Sequence, residues 1–483
     1  MQVGVERQLL FDDFLLVMAG RDHWDQLAYG VTFSLGSVEK HGGPIFEGDA
    51  VWESSSAWLN VLCEGGTYRM WYQSVHKDRG RSCVSIAESG DGIDFDRRDL
   101  SIINIDGYDE NNAVFEGGFG GVNPEFGNVF RDPNAAPGEE YKMVYSEWFG
   151  EYTFEIPCYS PTNGALRGAA SPDGIHWTRY YENFISPYPD SQNVACWDPI
   201  LSKYVAYHRT GSAFAGLDAG ALHVPEQSRG RAVGRIESDD FRFWSPSERV
   251  LAADLGDGLN TDIYNSAYSC HPDTPRAHYL FPSFYHHYEG TFEPQVVTSR
   301  DNRNWSRSCR DNFIPLGDPG DFDCFIISVS PGFVQVDDDT WALYYRSGDG
   351  PHGGCRPQTL DYEQKSRVSR VTFKRDRVVG IEGSSEGGHF STRPISFEGC
   401  RLVVNAEPTG PDPELRVQLL SSETDKPYDG YMFSGCRPIR EDGLDSLVAW
   451  DAKEGIGPEV PRESVRLHFQ LRDMRLYAFQ FLH

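Results

Sequence analysis

Positive charge is scarce in this chain. Its 44 Lys and Arg face 72 Asp and Glu, a formal net charge of −28, so nucleic acid and anionic membrane surfaces would be repelled. A neutral, polar ligand fits better, and much of the acidity serves solubility alone. The ten cysteines lie far apart with no C-x-x-C pair, which excludes a zinc ribbon or a thioredoxin motif and gives no sign of a disulfide framework. No apolar run approaches membrane-spanning length, and Met1-Gln2-Val3-Gly4-Val5-Glu6-Arg7 lacks the basic-then-apolar pattern of a secretory leader. The expectation is a soluble protein, cytoplasmic unless a leader has been trimmed away. Nucleophile elbows, P-loops, dinucleotide-binding glycine fingerprints and H-E-x-x-H are also missing, and no cofactor is expected.

Aromatic residues are plentiful: 24 Tyr, 29 Phe and 11 Trp in a chain that is 39% hydrophobic. That composition favours a folded, strand-dominated protein. At 483 residues the chain exceeds the size at which one core keeps growing, so two domains are expected.

One pattern recurs. Ser171-Pro172-Asp173-Gly174-Ile175-His176-Trp177 is echoed by Ser89-Gly90-Asp91-Gly92-Ile93-Asp94-Phe95, by Ser238-Asp239-Asp240-Phe241-Arg242-Phe243-Trp244 and by Ser299-Arg300-Asp301-Asn302-Arg303-Asn304-Trp305, at serine-to-serine steps of 82, 67 and 61 residues. Those steps suit a four-stranded unit with loops. The Ser and Asp side chains can bond backbone N–H groups in a tight turn while the aromatic tucks between neighbouring sheets, so these aspartates are structural rather than catalytic.

A second signal runs in phase with the first. Five segments start with an aromatic and continue apolar: Tyr68–Tyr72, Tyr141–Tyr145, Tyr204–Tyr207, Tyr279–Phe281 and Trp341–Tyr345. Each follows a polar turn, from Glu64-Gly65-Gly66 to Asp337-Asp338-Asp339, as the second strand of a hairpin would. The units fall near 50–105, 106–187, 188–255, 256–316 and 317–380, the last without the Ser/Asp/aromatic box, as terminal repeats often depart from consensus. From about Ile381 shorter alternating runs such as Leu415–Leu420 and Val465–Leu471 read as a β-sandwich. The expected fold is therefore all-β: a five-bladed propeller over 1–380, its N-terminal segment available to close the ring, followed by a sandwich over 381–483.

Five blades, S-x-D-G-I-x-W turns and a C-terminal sandwich resemble the five-bladed propeller glycoside hydrolases, especially the family 32 type of invertases and fructanases. The resemblance covers the whole chain in architecture and is weaker in catalytic motifs. It implies three acids, in N-D-P-N-G, R-D-P and E-C contexts; the first and third are absent. Arg131-Asp132-Pro133 matches the second in letters, but the repeat places Asp132 where Asp198-Pro199 sits in the next blade, in a hairpin turn. Some relatives hold a calcium on the propeller axis, yet no loop here has a dedicated calcium-ligand spacing.

Glycoside hydrolysis needs two carboxyl groups flanking the scissile bond, one of them kept protonated. In a propeller these come from the innermost strands, ahead of each hairpin. Glu53, Asp190, Asp262 and Asp323 lie 14 to 18 residues before the aromatic that opens the second strand of their units, and Glu125 is the nearest counterpart in the second unit. Acids converging on one funnel raise one another's pKa. Asp190 is read as base or nucleophile, Glu53 as proton donor, and Asp262 and Asp323 as orienting groups. Trp52, Gln192, Asn193 and Tyr264 offer the stacking surfaces and amides that sugars use, with His208, Arg209, His286, Arg346 and His352 from strands and loops nearby. His286 and His287 point opposite ways on a strand, which argues against a shared metal. The expected partner is a carbohydrate, and the expected activity cleavage of a glycosidic bond in a furanoside or fructose-containing glycan. A carbohydrate-binding propeller without turnover, and a glycoside phosphorylase or transglycosylase, are the alternatives.

Overall fold

The computed structural model describes residues 1–17, 28–77, 82–105, 107–108, 110–116, 124–148, 164–184, 190–211, 230–352, 365–451 and 453–483. It is a five-bladed β-propeller joined to a β-sandwich, and no helix among the described residues is long and apolar enough to cross a membrane. Blade 1 consists of Glu53–Glu64, Thr67–His76, Ser82–Ser89 and Ala113–Glu116, antiparallel in that order. Blade 2 repeats the order with Pro124–Arg131, Tyr141–Trp148, Gly164–Ser171 and Thr178–Phe184, and blade 3 with Val194–Asp198, Lys203–Gly211, Arg231–Ser238 and Glu248–Ala252. Blade 4 is built on Thr261–Cys270 and His278–His286, and blade 5 on Ile326–Val329, Thr340–Gly348 and Ser366–Lys374; a single parallel pairing, Phe292 with Ile326, joins them into one sheet.

The N-terminal segment serves both parts of the molecule. Glu39–Lys40 and Phe46–Glu47 pair with Ser366–Lys374 and give blade 5 its outermost strand, so the last sheet does not end on a bare edge. Gln2–Gly4, Gln8–Leu9 and Val31–Leu35 join the sandwich instead. There a six-stranded and a three-stranded sheet enclose one core. Along Glu414–Ser421 the side chains of Leu415, Val417 and Leu419 point inward while Glu414, Arg416 and Gln418 face out, the period-2 alternation of a strand with one buried face.

The four boxes fold alike. In each, the Asp carboxylate accepts backbone N–H groups two and three residues on: Asp91 from Ile93 and Asp94, Asp173 from Ile175 and His176, Asp240 from Arg242 and Phe243, Asp301 from Arg303 and Asn304, all at 2.7–2.9 Å. The residue after the aspartate has positive φ every time: Gly92 (72°), Gly174 (79°), Phe241 (62°) and Asn302 (56°). Its carbonyl is where the previous blade takes hold. Trp71 Nε1 of blade 1 donates to Gly174 O at 2.8 Å and Tyr344 OH of blade 5 to Gly92 O at 2.8 Å, while Tyr207 OH of blade 3 meets Asn302 through its Oδ1 as well as its carbonyl (3.2 Å).

At the second-to-third junction the donor position is occupied by Val144, which cannot donate, and the facing residue is Phe241. The ring of Phe241 fills the space left by the missing indole or phenol, against Phe130, Tyr180 and Tyr204. Packing thus replaces a hydrogen bond, and the left-handed backbone is retained at the cost of placing a bulky residue there. Blade 5 has no box. At the corresponding turn Asp376 accepts from His271 Nε2 of blade 4 (2.8 Å), ion-pairs with Arg7 and accepts from Asn405 of the sandwich. Burial alone would raise its pKa; His271 and Arg7 more than offset that and hold it below the usual carboxylate value.

A Cβ added at Gly174 would lie 2.7 Å from Trp71 Cζ2, on a backbone of positive φ. Gly174→Ala is expected to lower unfolding free energy by roughly 1–3 kcal/mol in urea denaturation. In the double variant with Trp71→Val, which copies the smaller partner found in blade 2, the loss is expected to be smaller than the sum of the two single losses.

Candidate active site

The innermost strands of three blades carry a β-bulge near the same end. Register shifts occur between Ser56 and Leu59, between Phe126 and Asn128, and between Ile263 and Ser266. A bulge re-aims the side chains beside it, and the residues beside these three are Trp58, Glu125, Tyr264 and Asn265. Gly127, the extra residue of the second bulge, has no space for a side chain: a Cβ would lie 2.2 Å from Asn193 O. Blade 3 can therefore approach closely, and Gln192 stitches the inner strands together by donating to Leu59 O (2.9 Å) and Gly127 O (2.8 Å).

Glu125 is the centre of the site. One carboxylate oxygen, Oε1, accepts from Trp58 Nε1 at 2.9 Å and from the backbone N–H of Ser191 at 3.0 Å. The next residue back is Asp190, whose carboxylate is bound by Arg209. Burial and the Asp190 charge push the pKa of Glu125 up to about 8, against the opposing pull of Trp58 and the Ser191 N–H. A nearby carboxylate disfavours ionisation of a buried carboxyl, which is how a carboxylic acid keeps its proton near neutrality.

Aromatic and cationic groups surround this pair. Trp58 and Tyr264 lie 6.2 Å apart, Arg346 sits 5.1 Å over the Trp58 ring, and His352 packs edge-on to Tyr264 at 4.9 Å. The phenol of Tyr264 is buried, and with Asp190 close by its pKa is raised, so it remains a hydrogen-bond donor. Beneath, Ser191, Gln192, Arg209, Tyr264, Asn265 and Ser266 help line a cavity with about 10 Å³ of room for a water's centre. Ser191 Oγ, Asn265 Nδ2 and Ser266 Oγ have no hydrogen-bond partner among the described residues. That is room and polarity for one bridging water.

The other residues singled out in the sequence lie in different surroundings. Glu53 has its carboxylate enclosed by Tyr72 OH (2.6 Å), Ala50 N and Arg97; burial raises its pKa, and Arg97 and Tyr72 pull the other way. Asp323 is held by Lys40 Nζ at 2.8 Å and Tyr345 OH at 3.0 Å. Both make their contacts away from the Glu125–Asp190 pair. Asp262 is closer in: it accepts from the backbone N–H of Arg231, pairs with Arg231 and His287, and Arg231 lies 4.9 Å over Tyr264.

Trp52 packs into a side core with Cys83, Ile105 and Ala113. His208 donates from Nδ1 to Arg209 O and meets Ser247 Oγ through Nε2, both at 2.8 Å; burial pushes its pKa down to about 4, so it is a neutral strut of blade 3. Asn193 holds Ser146 Oγ and the Arg209 N–H, and His286 meets Thr261 Oγ1 on the rim of blade 4. Asp132 accepts from Asn134 N in its turn and from Tyr204 OH of the next blade. Trp58 is the site residue that the sequence reading missed, because its place depends on a bulge; Glu125 lies in phase with the other acids, 16 residues before Tyr141. No three His, Cys, Asp or Glu side chains among the described residues gather as a metal site.

No family model matches the chain, and no curated protein does. Solved structures with a similar chain path include one titled glycoside hydrolase, at 13% identity and TM-score 0.47 over 70% of this chain and 92% of that one. Another is an α-L-arabinofuranosidase from Podospora anserina, at 12% and 0.42 over 70% and 96%. A third is a β-1,2-mannobiose phosphorylase from Listeria innocua, at 12% and 0.43 over 76% and 96%. These matches do not single out the family 32 type.

Proposed function

We propose that this protein is a glycoside-active enzyme that cleaves a glycosidic bond in the centre of the propeller, with Glu125 as proton donor and Asp190 as base or nucleophile. The observation that carries this reading is the pairing itself. Glu125 is held neutral near physiological pH beside the arginine-bound Asp190, within a wall formed by Trp58 and Tyr264. A donor must be protonated and its partner must not be, and aromatic faces suit the apolar face of a sugar ring. Both donors to Glu125 are on Oε1, so on this reading Oε2 carries the transferable proton. Asp262, through Arg231, tunes the charge around Tyr264, while Glu53 and Asp323 brace blades 1 and 5. The furanoside or fructose-containing class is the substrate reading that the family 32 resemblance implies.

The test is hydrolysis of a panel of aryl furanosides and pyranosides by the wild type and by single amide variants. Glu125→Gln and Asp190→Asn are each expected to lower kcat by about 10²–10⁴-fold with ligand affinity kept within a few-fold. Glu53→Gln is expected to lower the melting temperature while leaving kcat within a few-fold. A wild type inactive on every substrate yet binding glycans would make the protein a binder.

The pH dependence follows from the raised pKa. The rate is expected to fall as pH rises through about 8, where Glu125 loses its proton, and this alkaline limb is expected to vanish from the residual activity of Glu125→Gln. In its native setting the group binds its proton more tightly than in the unfolded chain. Its contribution to stability therefore declines as pH rises from its ordinary value of 4.5 to about 8.

A further inference from the structure

Arginines in this acid-rich chain are committed to carboxylates around the centre: Arg209 to Asp190, Arg231 to Asp262, Arg367 to Glu47 and Asp349. Arg346 is different. Its Nε donates to Ser366 Oγ at 2.9 Å, and its two terminal nitrogens have neither a hydrogen bond nor a carboxylate within ion-pair distance among the described residues. Its guanidinium carbon lies 5.1 Å from the centre of the Trp58 ring, and the side chain keeps some exposure. The indole N–H of the same Trp58 donates to Glu125. A positive charge is thus held one ring away from the acid.

Burial disfavours that charge and pushes the Arg346 pKa down, and guanidinium groups stay protonated regardless. Asp190 and Asp262 are already ion-paired with Arg209 and Arg231, and Glu125 and Tyr264 lie near enough to act on Arg346 through space without bonding to its terminal nitrogens. An unpaired, desolvated cation is costly to keep, and a protein of net charge −28 has carboxylates to spare for pairing it. A planar fork of free N–H donors matches the oxygens of a carboxylate or a phosphate.

We propose that Arg346 is an oxyanion-binding residue of the central funnel, taking either the carboxylate of an acidic sugar within the glycan or inorganic phosphate. The proposal rests on the glycan reading of the same site and names the charge its ligand carries. Arg346 orients the ligand and takes no part in proton transfer, so its loss weakens binding of the anion while Glu125 and Asp190 stay in place.

Calorimetric titration tests this with D-glucuronate, D-galacturonate, their neutral parents glucose and galactose, and sodium phosphate, at constant ionic strength. If the glycan supplies the anion, a uronate binds at least about tenfold tighter than its parent sugar; if phosphate does, phosphate binds and uronates compete poorly. In either case the preference collapses in Arg346→Gln, survives in part in Arg346→Lys, and persists in Glu125→Gln. Neutral sugars bound as tightly as uronates, with no phosphate binding, would overturn the anion site and leave the glycan reading standing. Binding of an anion that Arg346→Gln leaves unchanged would overturn the assignment to this residue. No binding of uronate or phosphate would overturn it as well, whereas the aryl glycoside assay decides the glycan reading separately. Should Arg346→Gln not fold, the wild-type panel and Arg346→Lys still decide the outcome.

Discussion

At four of the five junctions a side chain from one blade reaches into the tight turn of its neighbour, and at the remaining one the turn residue Phe241 packs across instead. The turn carbonyls of Gly92, Gly174 and Asn302 face outward because the backbone there is left-handed, and that conformation persists because an aspartate gathers the following N–H groups. The contact sets both the spacing and the tilt of adjacent sheets. Everything nearer the axis inherits that geometry, including the approach of blade 3 to blade 2 across Gly127 and the reach of Gln192 to two other inner strands.

The ring creates a place where charge is concentrated. Inner strands from different blades end close together, and a carboxyl on one feels the carboxylate on the next in a setting with little water to screen it. Glu125 and Asp190 come from different blades and belong to one electrostatic unit. The arginines partition the remaining acids, pairing Asp190 and Asp262 and leaving the Glu125 carboxyl without an ion pair. A carboxyl of raised pKa, an arginine-bound carboxyl and a second guanidinium beside one aromatic wall form an asymmetric set, which a symmetric ring of acids would not supply.

Much of the architecture was legible in the chain because it depends on short-range rules. The boxes are local hydrogen-bond motifs seven residues long, so Ser171–Trp177 could be recognised without its neighbours. The five aromatic-led segments are the second strands of their hairpins because a polar turn followed by an apolar run has few other uses. Asp132 was legible as a turn residue for the same reason. The site was less so. All four proposed acids are in or beside the inner strands, yet Glu53 and Asp323 turn toward Tyr72 and Arg97, and toward Lys40 and Tyr345. Register by counting gives position along a strand but not the face on which a side chain emerges, since a one-residue bulge reverses it.

The number of blades, the box turns and the alternating strands of the sandwich can be read from the chain alone, since each is written in contacts between residues close along it. The tertiary structure alone decided which acid meets which. Trp58 and Glu125 are 67 residues apart and Asn302 reaches Asp198 across 104. Such pairings follow from how far each sheet twists and where its inner strand bulges. Whether a carboxyl keeps its proton then depends on the groups those twists bring within reach.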